Sequence, residues 1–163
     1  MRTETVIDAA AFLSMHACDP VVRENARGFF ADRQTEPLIM SREHVGICDD
    51  IVWSYPRHVQ DAYYPFMDVL HSEWPLLRVG YEEADIRIAL GEPALAELPM
   101  HERLVLGMVL RRRAVLVTGS PRLRGRVDLP VRAPVPARAG VFPEHLERLY
   151  GDSQLLRVPE ERL

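Results

Sequence analysis

The chain has 163 residues, 47% of them hydrophobic and 27% charged, a size and balance suited to one domain around one core. All 20 basic residues are arginine and lysine is absent, which rules out Schiff-base chemistry, a P-loop lysine and a catalytic Ser–Lys pair. No stretch approaches the roughly 18 consecutive apolar residues of a membrane span. The opening MRTETVIDAAAFLSM lacks the basic leader of a signal peptide. The two cysteines, Cys18 and Cys48, suit core thiols in a reducing cytoplasm better than a disulfide framework or a zinc knuckle.

Charge is unevenly distributed. Residues 1–110 hold 18 acids and 9 arginines, whereas residues 111–163 hold 6 acids and 11 arginines. Within 111–138 there are eight arginines (Arg111, Arg112, Arg113, Arg122, Arg124, Arg126, Arg132 and Arg138) against the single acid Asp128. An acidic part that can hold a cation, followed by a basic segment that can meet phosphates, fits a nucleic-acid enzyme. A solvated arginine-rich loop is the plainer alternative.

Thr5-Val6-Ile7 is a β-branched run that reads as a buried first strand, with Asp8 at its carboxyl end. Ala9–Ala17 is helix-compatible. Asp19 then caps a second helix that begins with Pro20 and runs to Asp32. Leu38-Ile39-Met40 is a second strand, and Ser41 caps a helix through Val45, Ile47 and Cys48 to about Trp53. Pro56 opens another helix to about Ser72, with Val59, Tyr63, Phe66, Met67 and Leu70 on one face. Leu76–Val79 is a third strand and Glu82–Leu90 a short helix. The clearest helix is Leu98–Arg113, on which Gly107 permits close packing. Ala114–Thr118 is an apolar strand running into Gly119-Ser120-Pro121. Residues 121–140 carry four prolines and read as loop. A last helix over Pro143–Tyr150 and a short strand over Leu155–Val158 close the chain.

Apolar strands alternating with helices predict an α/β fold with a central, mostly parallel sheet covered on both faces, a three-layer α/β/α sandwich. Ligands of such sheets bind outside the carboxyl ends of the strands, where Asp8 and Ser120 fall.

Three segments resemble PIN-like domains. TVIDAAAFL resembles the family's first strand and its terminal Asp. HERLVLGMVLRRRAVLVTGSPRL resembles the stretch in which an acid starts a helix, a small residue sits on that helix, and an apolar strand leads to Thr-Gly and a last acid. RVGYEEADIRIAL resembles the segment before it. The resemblance covers roughly residues 3–123 and implies a PIN-like core over 1–123, with 124–163 as an extension packed on the same domain. It also implies a metal-dependent nuclease, often acting on RNA, whose carboxylates hold Mg²⁺ or Mn²⁺. Such domains often pair as dimers.

Carried over residue by residue, Asp8 matches the first acid, Glu102 the third and Thr118 the hydroxyl at the strand end. The last acid falls at Ser120, where TGS replaces the family's TGD. The second acid falls at Gly46, leaving Glu43, Asp49 or Asp50 to substitute. The resemblance thus implies Asp8, Glu102 and Asp49 as catalytic residues, and Asp8, Glu102 and Glu43 as metal ligands. Thr118 and Ser120 would orient water behind them, and Arg122, Arg124 and Arg126 would hold substrate phosphates. Asp8 read alone can equally cap a helix, and Glu102 can simply favour a helix N-terminus. His16, His44 and His101 read as structural or surface histidines. The aromatics Trp53, Tyr55, Tyr63, Tyr64, Phe66 and Trp74 can stack bases, form a dimer face or fill the core. Two functions follow: a metal-dependent ribonuclease, or a catalytically degenerate PIN-like module that binds a protein or nucleic-acid partner.

Overall fold

A computed structural model describes residues 2–163. Five parallel strands form its centre: β1 (Thr5–Ile7), β2 (Leu38–Ser41), β3 (Leu76–Val79), β4 (Val115–Val117) and β5 (Val131–Arg132), in the order β3-β2-β1-β4-β5. Seven α-helices surround them: α1 (Ala9–Leu13), α2 (Pro20–Ala31), α3 (Arg42–Trp53), α4 (Arg57–Glu73), α5 (Glu83–Gly91), α6 (Met100–Arg112) and α7 (Glu144–Ser153). The fold is α/β, with an all-parallel sheet between two helical layers.

Strand alternation assigns the layers, because successive side chains point to opposite faces. Ile7, Leu38, Met40 and Val117 enter the larger core beneath α1 to α4 and α7. Val6, Ile39 and Leu116 enter the smaller core beneath α6. The chain steps outwards from β1 through β2 to β3, then returns past β1 to β4. The crevice at the carboxyl ends of β1 and β4 is therefore the point where the sheet changes direction, the usual ligand position of such folds.

Several predicted elements differ in extent, each for a local reason. The helix expected over Ala9–Ala17 stops at Leu13 and tightens into a 3-10 turn over Ser14–His16. The Ser14 hydroxyl donates back to the Ala10 carbonyl at 2.6 Å, a bond that competes with the helical ladder. The proline-rich loop contains the edge strand β5, which tolerates Pro130 because only one of its sides is paired. The strand expected over Leu155–Val158 reduces to one parallel bridge between Ala17 and Val158, and Pro159 follows directly.

Residues 124–163 are built into the same body. β5 extends the sheet beside β4, and α7 lays Tyr150 against Phe66 and Phe142. The Asp32 carboxylate accepts the amides of Ala137, Arg138 and Gly140 at 2.7 to 2.8 Å. Of the aromatics, Tyr63, Phe66 and Trp74 are buried, whereas Trp53 is 65% exposed. Tyr63 and Phe66 therefore fill the core and are closed to bases.

Helices α5 and α6 meet at Gly107. A Cβ there would lie 2.3 Å from the Asp85 carbonyl oxygen and 3.1 Å from the Ala89 nitrogen. Beside this contact, buried Asp85 pairs with Arg111 of α6 and accepts the Glu82 amide at 2.8 Å. Gly107→Ala must push the helices apart against backbone and is expected to destabilise the fold by about 1–3 kcal/mol, measured by urea denaturation.

His16 is fully buried, edge-on to Tyr63, Phe66 and Tyr150, with Nε2 2.8 Å from the Ser153 hydroxyl. Burial pushes its pKa down from 6.5 to about 3, and Arg157 and Arg23 add to the fall. The unfolded chain binds a proton that the folded chain refuses, so stability is lost as pH drops from 6.5 towards 3. The melting temperature of the parent should fall across that window, and His16→Gln should flatten the fall.

Candidate functional site

The crevice beside β1 and β4 opens into a cavity of about 180 Å³. Asp8 enters it from the end of β1, 1% exposed. Its Oδ1 accepts the Ala11 amide at 2.8 Å and so caps α1, while its Oδ2 accepts the Thr118 hydroxyl at 2.5 Å. Thr118 Oγ1 in turn accepts the Ser120 amide at 3.0 Å. One carboxylate thus ties the end of β1 to the end of β4. Burial pushes the Asp8 carboxyl above the ordinary range and the Glu102 charge adds to this, against opposition from the His44 ring, the Thr118 hydroxyl and the Ala11 amide.

Glu102 arrives from the first turn of α6, 2% exposed. The Ser120 hydroxyl donates to its Oε1 at 2.6 Å. Arg122 grips both oxygens: Nε lies 3.1 Å from Oε1 and 3.2 Å from Oε2, and Nη2 lies 2.9 Å from Oε1. An acid at position 120 would set a third negative charge against Glu102. The serine donates a hydrogen bond instead, and the guanidinium supplies the countercharge.

Gly119 makes this turn possible. A Cβ there would lie 2.1 Å from the Ser14 hydroxyl and 2.7 Å from the Ala10 carbonyl oxygen, so only glycine lets the strand end pass this close to α1.

Helix α3 closes the cavity with His44, Ile47 and Ile51, one face at helical spacing. The His44 Nδ1 accepts the Ala9 amide at 3.0 Å, which leaves the ring proton on Nε2, 3.1 Å from the His101 carbonyl. Both ring nitrogens are occupied by backbone, so His44 braces the crevice. His101 lines the cavity beside it, half-buried, and burial lowers its pKa. The C-terminal residues Glu161, Arg162 and Leu163 complete the wall. Arg162 is held by the Ser54 hydroxyl at 2.8 Å and lies over the Tyr55 ring.

The profile of a family described as Family of unknown function (DUF6190) matches residues 1–163. The chain belongs to this family. No curated protein matches it.

In this DUF6190 chain, the structure brings Asp8, Glu102, Thr118, Ser120 and Arg122 together and directs the other predicted residues elsewhere. Asp49 lies outside the cavity: its carboxylate accepts the Tyr64 hydroxyl at 3.1 Å, and it lines a separate groove. Glu43 accepts the Tyr81 hydroxyl at 3.0 Å and is not part of the cavity wall. Asp50 is exposed, and Gly46 has open space around it. For Asp49 the reason is angular: two steps of about 100° along α3 set it on the side opposite Ile47. Arg124 pairs with Glu160, and Arg126 with Asp128 and the Ala94 carbonyl, so both are held away from the cavity. Among the described residues, no group of three or more His, Cys, Asp or Glu side chains is arranged to hold a metal ion.

Ile47 and Ile51 carry no sign of a site role in the local sequence beyond the helical stripe 44–47–51.

Arg122→Ala would leave the buried Glu102 charge without its cation. Because Arg122 is itself half-exposed, we expect a cost of about 1–3 kcal/mol. Most of it should return in the Glu102→Gln/Arg122→Ala double variant, read by thermal and urea unfolding.

Proposed function

We propose that this DUF6190 chain is a PIN-like domain that works as a binding module, its acid site neutralised from within, and not as a metal-dependent ribonuclease. The observation that carries this reading is the two-oxygen grip of Arg122 on Glu102. A fixed guanidinium supplies the countercharge that a divalent cation would otherwise provide. The rest of the wall agrees: Ser120 is a hydroxyl donor, and α3 contributes Ile47 and Ile51 where a further acid would be needed. Weakly held, hydrated Mg²⁺ or Mn²⁺ needs several carboxylates close together; this cavity buries two, Asp8 and Glu102, while Glu161 in its C-terminal wall is exposed and not grouped with them.

The arginine-rich segment argues against a nucleic-acid partner. Five of its eight arginines are engaged within the chain: Arg111 with Asp85 and Glu82, Arg112 with Glu4, Arg122 with Glu102, Arg124 with Glu160, and Arg126 with Asp128. Arginines already paired with carboxylates contribute little to a phosphate-binding surface.

The nuclease reading rests on Asp8 and Glu102 sharing one cavity, and it requires Arg122 to swing away. Calorimetric titration with Mn²⁺, alongside an assay on single-stranded RNA, separates the two. The parent should show no binding heat and no cleavage, and Ser120→Asp/Arg122→Gln should gain Mn²⁺ binding. Binding by the parent that disappears in Asp8→Asn, together with RNA cleavage, would establish the nuclease and end this proposal.

A further inference from the structure

A second cavity lies on the other side of α3. It is a groove of about 650 Å³ between α3, α4 and the ends of β2 and β3, within the roughly 300–1,000 Å³ typical of small-molecule sites. It shares no lining residue with the Asp8 cavity. Helix α3 divides the two, with His44, Ile47 and Ile51 facing one and Val45, Cys48 and Asp49 facing the other.

The groove has an apolar floor and a charged rim. Met40, Cys48 and Met67 form the floor, all at least nine-tenths buried. Asp49, Asp68 and Arg78 stand on the rim. These three charges do not pair with one another: among the described residues none of them takes part in an ion pair, and Asp49 receives only the Tyr64 hydroxyl. All three nonetheless line one groove, together with His71 of α4. Two carboxylates and a guanidinium lining one groove above an apolar surface, none of them ion-paired within the chain, leave both signs of charge available to a ligand. A ligand bearing an ammonium, a carboxylate and an apolar side chain would meet all of them.

We infer that this groove binds a small zwitterionic ligand of the amino-acid class. Its ammonium faces Asp49 and Asp68, its carboxylate faces Arg78, and its side chain lies on Met40, Cys48 and Met67. The Tyr64 ring flanks the ammonium end, and a cation beside an aromatic ring is favourable. The inference is independent of the Asp8–Glu102 reading, because a different set of residues carries it.

Calorimetric titration of the full chain with L-leucine and L-phenylalanine tests it, with isoamylamine and 4-methylvalerate as probes carrying one charge each. At least one amino acid should bind saturably at one site, with each single-charge probe weaker by about tenfold or more. Arg78→Gln should reduce the amino acid to the affinity of the amine, and Asp68→Asn to that of the carboxylate. Both residues are exposed, so these variants should fold, and circular dichroism checks that they do. Arg57→Gln, exposed on α4 and outside both cavities, should leave binding unchanged. Absence of saturable binding by both amino acids overturns the proposal. So does an amine that binds as tightly as its amino acid, unchanged affinity in Arg78→Gln or Asp68→Asn, or loss of binding in Arg57→Gln.

Discussion

The structure depends on one carboxylate. Asp8 ends the central strand, caps α1 through the Ala11 amide, and accepts the Thr118 hydroxyl from the neighbouring strand end. Parallel strands β1 and β4 are far apart in the chain, Thr5 pairing with Val115, so no short turn aligns them. Their register is carried by the ladder and, at the carboxyl end, by this bond. Thr118 then orients the Ser120 amide, and Ser120 orients Glu102. The crevice is a relay of hydrogen bonds that begins at Asp8 and ends at the Arg122 guanidinium. Each donor and acceptor in it is used locally, which is what burial of so many polar groups requires.

That relay explains why two buried acids are tolerated side by side. Asp8 is held by neutral donors and its carboxyl is pushed upwards by burial. Glu102 has a cation across both its oxygens. The two acids meet the cost of burial in different ways. The C-terminal segment then shuts the space, with Leu163 packed into the larger core and Arg162 anchored on Ser54 and Tyr55. The extension is thus a wall of the crevice as well as the carrier of an edge strand.

The same economy governs the charge asymmetry of the sequence. The acidic first part and the arginine-rich later part face each other across the fold. Arg111 reaches Asp85, Arg112 reaches Glu4 and Arg122 reaches Glu102. What reads in one dimension as a basic tract able to meet phosphate is, in three dimensions, largely a set of ties between segments. The exposed pairs among them add little stability. Arg111–Asp85 and Arg122–Glu102 matter more, because each neutralises a carboxylate that has no access to water.

The sequence by itself determined the layered α/β architecture, since apolar runs such as Val115-Leu116-Val117 alternate with amphipathic helices such as α4, and that pattern has few other ways to bury itself. It also placed Asp8, Glu102, Thr118 and Ser120 at element ends, because strand and helix boundaries are marked by local chemistry. Local pattern did not reveal the two-residue strand β5 among its prolines, or that Ser14 would end α1 early. Only the tertiary structure decided which side of α3 would meet the crevice. A difference of about 100° per residue separates Ile47 from Cys48, and sequence periodicity cannot set that angle when both sides of a helix border cavities. For the same reason Asp49 faces a second groove, Arg124 and Arg126 turn to acids outside the crevice, and Arg122 alone reaches Glu102. Which charges meet depends on the rotation and approach of whole elements, and those are fixed by packing across the sheet.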